Sequence, residues 1–309
     1  IYRETSDRHG EAEALTGLGL ALAGMRRFEE AIEAHAQAAD IYRENGDRPR
    51  EGMELISLGL ALVRVGRFEE AIEAHTQASA IYRETSDRPR EGMALGNLGL
   101  ALVEVGRFEE AIEAHAQAAD IYRENGDRPR EGMALGNLGL ALVEVGRFEE
   151  AIDAHTQASA IYRETSDRHG EAEALSNLGS ALVGVERYVD GVTAVECAVE
   201  IYRCLAVDSQ SDYEPGLAHS LLFLASLRVE VERERDLPGA LRAAEEAAEL
   251  FGRLVAAEPA AFTGLLRRAL ELLAETLELL RRSEDAERVR CRLADMDSPK
   301  NDPILRPGA

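Results

Sequence analysis

Tryptophan is absent from the 309 residues, aromatic residues make up 5%, and the one lysine is Lys300. A chain so poor in large rings must build its core from Ala, Leu and Gly, which suits closely packed helices. The missing lysines remove Schiff-base chemistry and the lysine of a phosphate-binding loop from the folded region. They also point to high-GC coding of the kind found in actinobacteria. Bases are outnumbered, 35 Lys and Arg against 58 Asp and Glu, for a net charge of −23. This argues against nucleic acid or an anionic membrane as the main partner, because phosphate recognition needs a basic footprint. The surplus acid either steers in a basic partner or keeps a helical protein soluble.

Cysteine is sparse, at Cys197, Cys204 and Cys291. Cys197 and Cys204 fall seven apart on one predicted helix, roughly 10 Å along its axis, too far for a disulfide. An odd, sparse set reads as reduced and cytoplasmic. No signal peptide opens the chain and no apolar run approaches membrane-spanning length. Gly-x-Ser-x-Gly, His-Glu-x-x-His, Cys-x-x-Cys and phosphate-loop patterns are all missing. The chain therefore reads as a non-enzyme, with no catalytic residue, metal ligand or cofactor expected.

What the chain has is repetition. Residues 92–115, GMALGNLGLALVEVGRFEEAIEAH, recur almost letter for letter at 132–155, and looser copies begin near Glu11, Gly52 and Ala172. The period is 40: a Leu-Gly pair falls at Leu18, Leu58, Leu98, Leu138 and Leu178, and an aromatic at Phe28, Phe68, Phe108, Phe148 and Tyr188. Each unit reads as two helices. The first runs from about Pro89 to Val105, with Asp87 as N-cap, Pro89 in the first turn and Gly106 as the left-handed C′ residue. Met93, Leu95, Leu98, Leu102 and Val105 have helical spacing. The second runs from about Phe108 to Arg123, with Ala111, Ile112, His115, Ala118, Ala119 and Tyr122 on its inner stripe. The segment IYRETSD at the start matches the end of a second helix, so the protein is expected to extend further N-terminally.

These residues resemble the tetratricopeptide repeat (TPR) family, whose Leu, Leu-Gly, aromatic and small positions are held here by Leu95, Leu98, Gly99, Leu102, Phe108, Ala111 and Ala118. The period exceeds the usual ~34 residues and is similar to the long-helix repeats of kinesin light chains and spindle-orientation adaptors. The resemblance implies an all-α fold, a right-handed α-solenoid of stacked antiparallel helix pairs. The strong repeats cover 1–206, with the first unit incomplete. Val207–Glu214 reads as a polar linker, and 207–296 holds two divergent pairs, 215–231 with 237–257 and 259–280 with 283–296. The connecting turn of the first is about three residues longer than in the strong repeats. The tail 297–309, rich in Pro and Asp, is expected to be disordered.

Two recurring features compete for function. His35, His75, His115 and His155 form a ladder with rungs roughly 10 Å apart, one helix-packing width, too far apart to share a metal. They read as packing residues in a slot between paired helices, with pH sensitivity as the alternative. The better candidate is the face of the first helices, which in TPR proteins lines the concave groove. The inward positions are Met53, Ile56, Leu60 and Val63 in one unit, Met93, Gly96, Leu100 and Val103 in the next, then Met133, Gly136, Leu140 and Val143. Some of these could instead pack on a neighbouring helix. Asn97, Asn137 and Asn177 form an amide ladder that, by the resemblance, would hold a ligand's main chain; Gly17 and Ser57 replace it upstream. Only Arg64 brings a base near the groove, and Glu104 and Glu144 stand at its equivalents. A C-terminal carboxylate ligand is therefore not expected. The expected function is binding of a protein or peptide, apolar with basic residues. The alternatives are the sensor arm of a larger bacterial signalling protein and a spacer or self-assembly array.

Overall fold

The computed structural model describes residues 8–231 and 237–296. The first seven residues, residues 232–236 where the longer connecting turn is expected, and the tail expected to be disordered lie outside that range. Every regular element among the described residues is an α-helix, and the chain divides into two compact units, Ile1–Thr165 and Ser166–Ala309. The first unit holds four antiparallel pairs: α1 (Arg8–Gly24) with α2 (Phe28–Glu44), α3 (Arg48–Arg64) with α4 (Phe68–Glu84), α5 (Arg88–Glu104) with α6 (Phe108–Glu124), and α7 (Arg128–Glu144) with α8 (Phe148–Glu164). The second holds three: α9 (Arg168–Gly184) with α10 (Tyr188–Asp208), α11 (Gln210–Val231) with α12 (Leu237–Ala257), and α13 (Pro259–Leu279) with α14 (Ser283–Met296). Within each unit, each helix packs on the next, as in an α-solenoid.

The helix boundaries follow from capping chemistry. Asp47, Asp87, Asp127 and Asp167 each accept a hydrogen bond from the backbone N–H three residues on, satisfying a donor that the first turn leaves orphaned. The reversals after the first helices of the second, third and fourth pairs are glycines with positive φ, Gly66 (+78°), Gly106 (+73°) and Gly146 (+74°). Ser86 and Ser166 take the same left-handed role after α4 and α8, at φ near +60°, a conformation that costs a Cβ-bearing residue about 1–2 kcal/mol.

The expected linker at 207–214 is helical instead. α10 continues to Asp208 and α11 begins at Gln210, so Ser209 alone breaks the chain, with extended backbone. Polar side chains there are used for capping and pairing: Ser209 Oγ donates to Asp212 (2.6 Å), and Glu214 is held by Gln210 and Arg253 (both 2.6 Å). Pro215 lies inside α11, in its second turn, where it removes one N–H from the helical ladder.

Candidate functional site

The histidine ladder is a packing device. His35, His75, His115 and His155 are 0–1% exposed, each on a second helix. A Cβ built on Gly19, Gly59, Gly99 or Gly139 would lie 2.4–2.6 Å from the facing imidazole. The glycine of the first four Leu-Gly pairs is thus dictated by the ring it faces, and in the fifth Val195 takes the ring's place against Gly179. Both ring nitrogens of His75, His115 and His155 lack a hydrogen-bond partner among the described residues, and burial pushes each pKa down to about 4. His35 differs. Its Nδ1 lies 2.7 Å from Glu54, which also accepts from Thr16 Oγ1 at 2.8 Å. Glu54 stands where other repeats have alanine, at Ala94, Ala134 and Ala174.

A second ladder, not anticipated from the apolar pattern, stitches the pairs together. Glu51, Glu91 and Glu131 sit in the first turn of a first helix yet are only 1–2% exposed. Each carboxylate accepts from two arginines. Glu91 takes Nε of Arg83, at the end of the preceding pair, and Nη1 of Arg88, both at 2.8 Å. Arg88 reaches on to Glu124 of its own pair at 2.7 Å. Glu51 and Glu131 repeat the pattern with Arg43 and Arg48, and with Arg123 and Arg128. The signal was present in the recurring Arg-x-x-Glu, an acid fixed between two bases at a 40-residue period. These charges hold neighbouring pairs together; the carboxylates are buried, while the arginines stay partly exposed.

The first-helix face is where unused groups remain. Consecutive first helices touch directly, α3 with α5, α5 with α7, and α11 with α13. Met53 (41%), Leu60 (48%), Leu100 (49%), Met133 (50%) and Leu140 (48%) are exposed on it. Glu104 and Glu144 are exposed, and Val63, Val103 and Val143 are half-buried. Met93 is half-buried against the cluster of Leu55, Tyr82 and Ala94. Asn97, Asn137 and Asn177 are half-buried, and their amides hydrogen-bond to nothing among the described residues. Two expected groove residues behave otherwise. Ile56 is 5% exposed and belongs to the same core cluster as Ala94, because its branched side chain fills space that Gly96 and Gly136 leave open. Arg64 is exposed, but its guanidinium lies 5.6 Å from the Phe28 ring centroid as a cation–π pair.

In the second unit the first helices α9, α11 and α13 line an open pocket of about 590 Å³. Asn177 lines it, with Ser176, Ser180, Ser220 and Ser226, the apolar wall of Phe223, Leu265 and Leu272, and the charged Glu230, Arg268, Glu271 and Glu275. Ser176 and Ser220 hydrogen-bond across α9 and α11 at 3.2 Å. No group of three or more His, Cys, Asp or Glu among the described residues is arranged to hold a metal ion, and no described helix is long and apolar enough to cross a membrane.

Tetratricopeptide repeat patterns match residues 12–45, 52–124, 90–164 and 130–203. The chain belongs to the tetratricopeptide repeat family. Solved structures bear out the TPR solenoid. A putative kinesin light chain from Podospora anserina with nearly identical TPR-like repeats is 21% identical, over 64% of this chain and 96% of that one, with TM-score 0.54. A signal transduction ATPase with numerous domains from Pyrococcus horikoshii, described as having a TPR sensor, aligns with TM-score 0.72 at 15% identity, over 93% of this TPR chain and 42% of that protein. The apo form of RapI aligns with TM-score 0.61 at 15% identity, over 91% and 99%. No protein of curated function matches in sequence. At these identities the structural likenesses speak to the fold alone.

Proposed function

We propose that this TPR chain binds a peptide or protein segment along the face of its first helices. The observation that carries the reading is the set of half-buried amides without hydrogen-bond partners among the described residues, Asn97 and Asn137, flanked by exposed Met53, Leu100, Met133 and Leu140. A half-buried amide left without partners is costly unless water or a ligand satisfies it, and each amide offers both a donor and an acceptor to an extended main chain. Exposed methionine suits adaptable apolar contact. The net charge of −23, with Glu104 and Glu144 on this face, favours a ligand carrying Arg or Lys.

The test is selection of peptides from a random twelve-residue display library on the chain, then measurement of their affinity for an Asn97→Ala/Asn137→Ala variant. A loss of about tenfold or more is expected, since two ligand hydrogen bonds are removed at ~0.5–1.5 kcal/mol each. Unchanged affinity would displace the reading. A second reading, that the array is the sensing arm of a larger signalling protein, draws on the likeness to the ATPase described as having a TPR sensor. It adds to peptide binding and needs the same face. Its test is whether the complete gene encodes a nucleotide-binding domain beside this array.

A further inference from the structure

The repeats of this chain are nearly identical, so a change of chemistry at one lining position is informative. The exposed position held by Leu20, Leu60, Leu100 and Leu140 becomes Ser180 in the second unit. The position held by Gly96 and Gly136 becomes Ser176. Both serines line the 590 Å³ pocket between α9, α11 and α13, and Ser220 and Ser226 add two more hydroxyls. The volume is that of a pocket for a small ligand or a few peptide residues, within the usual ~300–1,000 Å³.

The pocket is also unbalanced in charge. Glu230, Glu271 and Glu275 face one cation, Arg268, and none of the four has an ion-pair partner among the described residues. Some exposed acids of the repeats differ, since Glu70, Glu110 and Glu150 are each clamped by an arginine, while Glu104 and Glu144 have no ion-pair partner among the described residues either. Glu271 and Glu275 are four apart on α13, so they stack on one helical face. Beside them on α13, Leu265 and Leu272 are apolar, Phe223 of α11 adds a ring, and Asn177 of α9 brings an amide with no hydrogen-bond partner among the described residues.

We propose that this pocket is a specificity pocket for a basic residue of a peptide bound on the first-helix face of the second unit, with its guanidinium or ammonium group between Glu271 and Glu275 and its aliphatic stem against Phe223 and Leu265. The inference rests on the reading that the first-helix face binds peptide. Arg and Lys combine an apolar stem with a charged head, which is the combination the walls present. The hydroxyls and the Asn177 amide serve the flanking main chain.

The experiment uses the full chain and fluorescein-labelled hexapeptides of alternating leucine and serine with one central arginine, citrulline or glutamate. Anisotropy titrations give the affinities. The arginine peptide is expected to bind at least tenfold more tightly than its uncharged citrulline isostere, with a preference that shrinks at high salt. The glutamate peptide should bind weakest. In E271Q/E275Q, which keeps the side-chain shape, the arginine advantage should disappear while citrulline affinity stays the same. Equal binding of the arginine and citrulline peptides, or an arginine preference that survives E271Q/E275Q, overturns the proposal. Displacement of the arginine peptide by an equal concentration of spermidine overturns the peptide assignment. If library-selected peptides are lost from the Asn97→Ala/Asn137→Ala variant while the hexapeptides show no arginine preference, this pocket fails and the broader reading stands. If no selected peptide responds to the asparagines, the broader reading fails independently of the pocket.

Discussion

Mild acid should unravel the first unit through three histidines. His75, His115 and His155 are buried without hydrogen-bond partners among the described residues, and burial alone pushes each pKa from 6.5 to about 4. The unfolded chain, with its histidines near 6.5, therefore takes up protons first as pH falls. Stability is full above pH 6.5, declines as pH drops through that value, and levels off below about 4. At pH 5 the loss is about 2 kcal/mol per histidine, or about 6 kcal/mol if all three are exposed in one step. That is comparable to the whole stability of an ordinary domain, ~5–15 kcal/mol. Repeats that open singly would still each lose about 2 kcal/mol. Urea unfolding followed by circular dichroism at pH 7.5 and pH 5 measures this as a midpoint shift of about 3 M if the unit opens in one step, or about 1 M if repeats open singly, for a urea slope near 2 kcal/mol/M. The control is His75→Val/His115→Val/His155→Val, the replacement the chain itself uses at Val195 against Gly179. The variant's absolute stability is not the readout, since packing changes. Its pH shift is the readout, because acid effects common to both proteins cancel. A variant whose midpoint moves with pH as much as the parent's would refute the reasoning.

Gly99→Ala places a Cβ 2.5 Å from the buried His115 ring; a loss of about 1–3 kcal/mol or more is expected in thermal melts, reduced when His115→Ala is added. Arg83→Ala/Arg88→Ala leaves the carboxylate of Glu91, 1% exposed, without either of its partners. It should cost about 3–5 kcal/mol, more than Glu91→Ala, which returns two half-exposed arginines to water; denaturant titration decides the order. Ser86→Gly relieves a left-handed residue at φ +59° and should stabilise by about 0.5–1 kcal/mol, read as a raised melting temperature.

The helix pairs were legible because local rules agree with one another over five copies. Asp87 as N-cap, Gly106 at positive φ and Leu102 in the core all fall where spacing and capping chemistry put them. The segment 207–214 was misread because its polar residues suit a loop as well as a helix junction; only the pairing of Glu214 with Arg253, from another helix, decides. Ile56 was misplaced because face assignment by offset ignores side-chain length: where Gly96 leaves a gap, isoleucine reaches the core. The buried glutamates were missed for a related reason. A pattern of apolar residues says nothing about a charge whose two partners lie on different helices. The serine-lined pocket needed the departures at positions 176 and 180 to be read as a site, and its acids come from helices α11 and α13, where the repeat pattern has faded.

The binding face is tested most directly by the protein's own methionines. There are five, Met25, Met53, Met93, Met133 and Met296. Three lie on the first-helix face of the first unit. Met25 sits in the turn after α1, and Met296 ends α14. Carbon-13 methyl labelling of methionine gives one NMR signal for each. Titration with a library-selected peptide should shift Met53, Met93 and Met133 and leave Met25 and Met296 in place. Shifts confined to Met25 or Met296, with the three face methyls unmoved by a saturating peptide, would contradict the account.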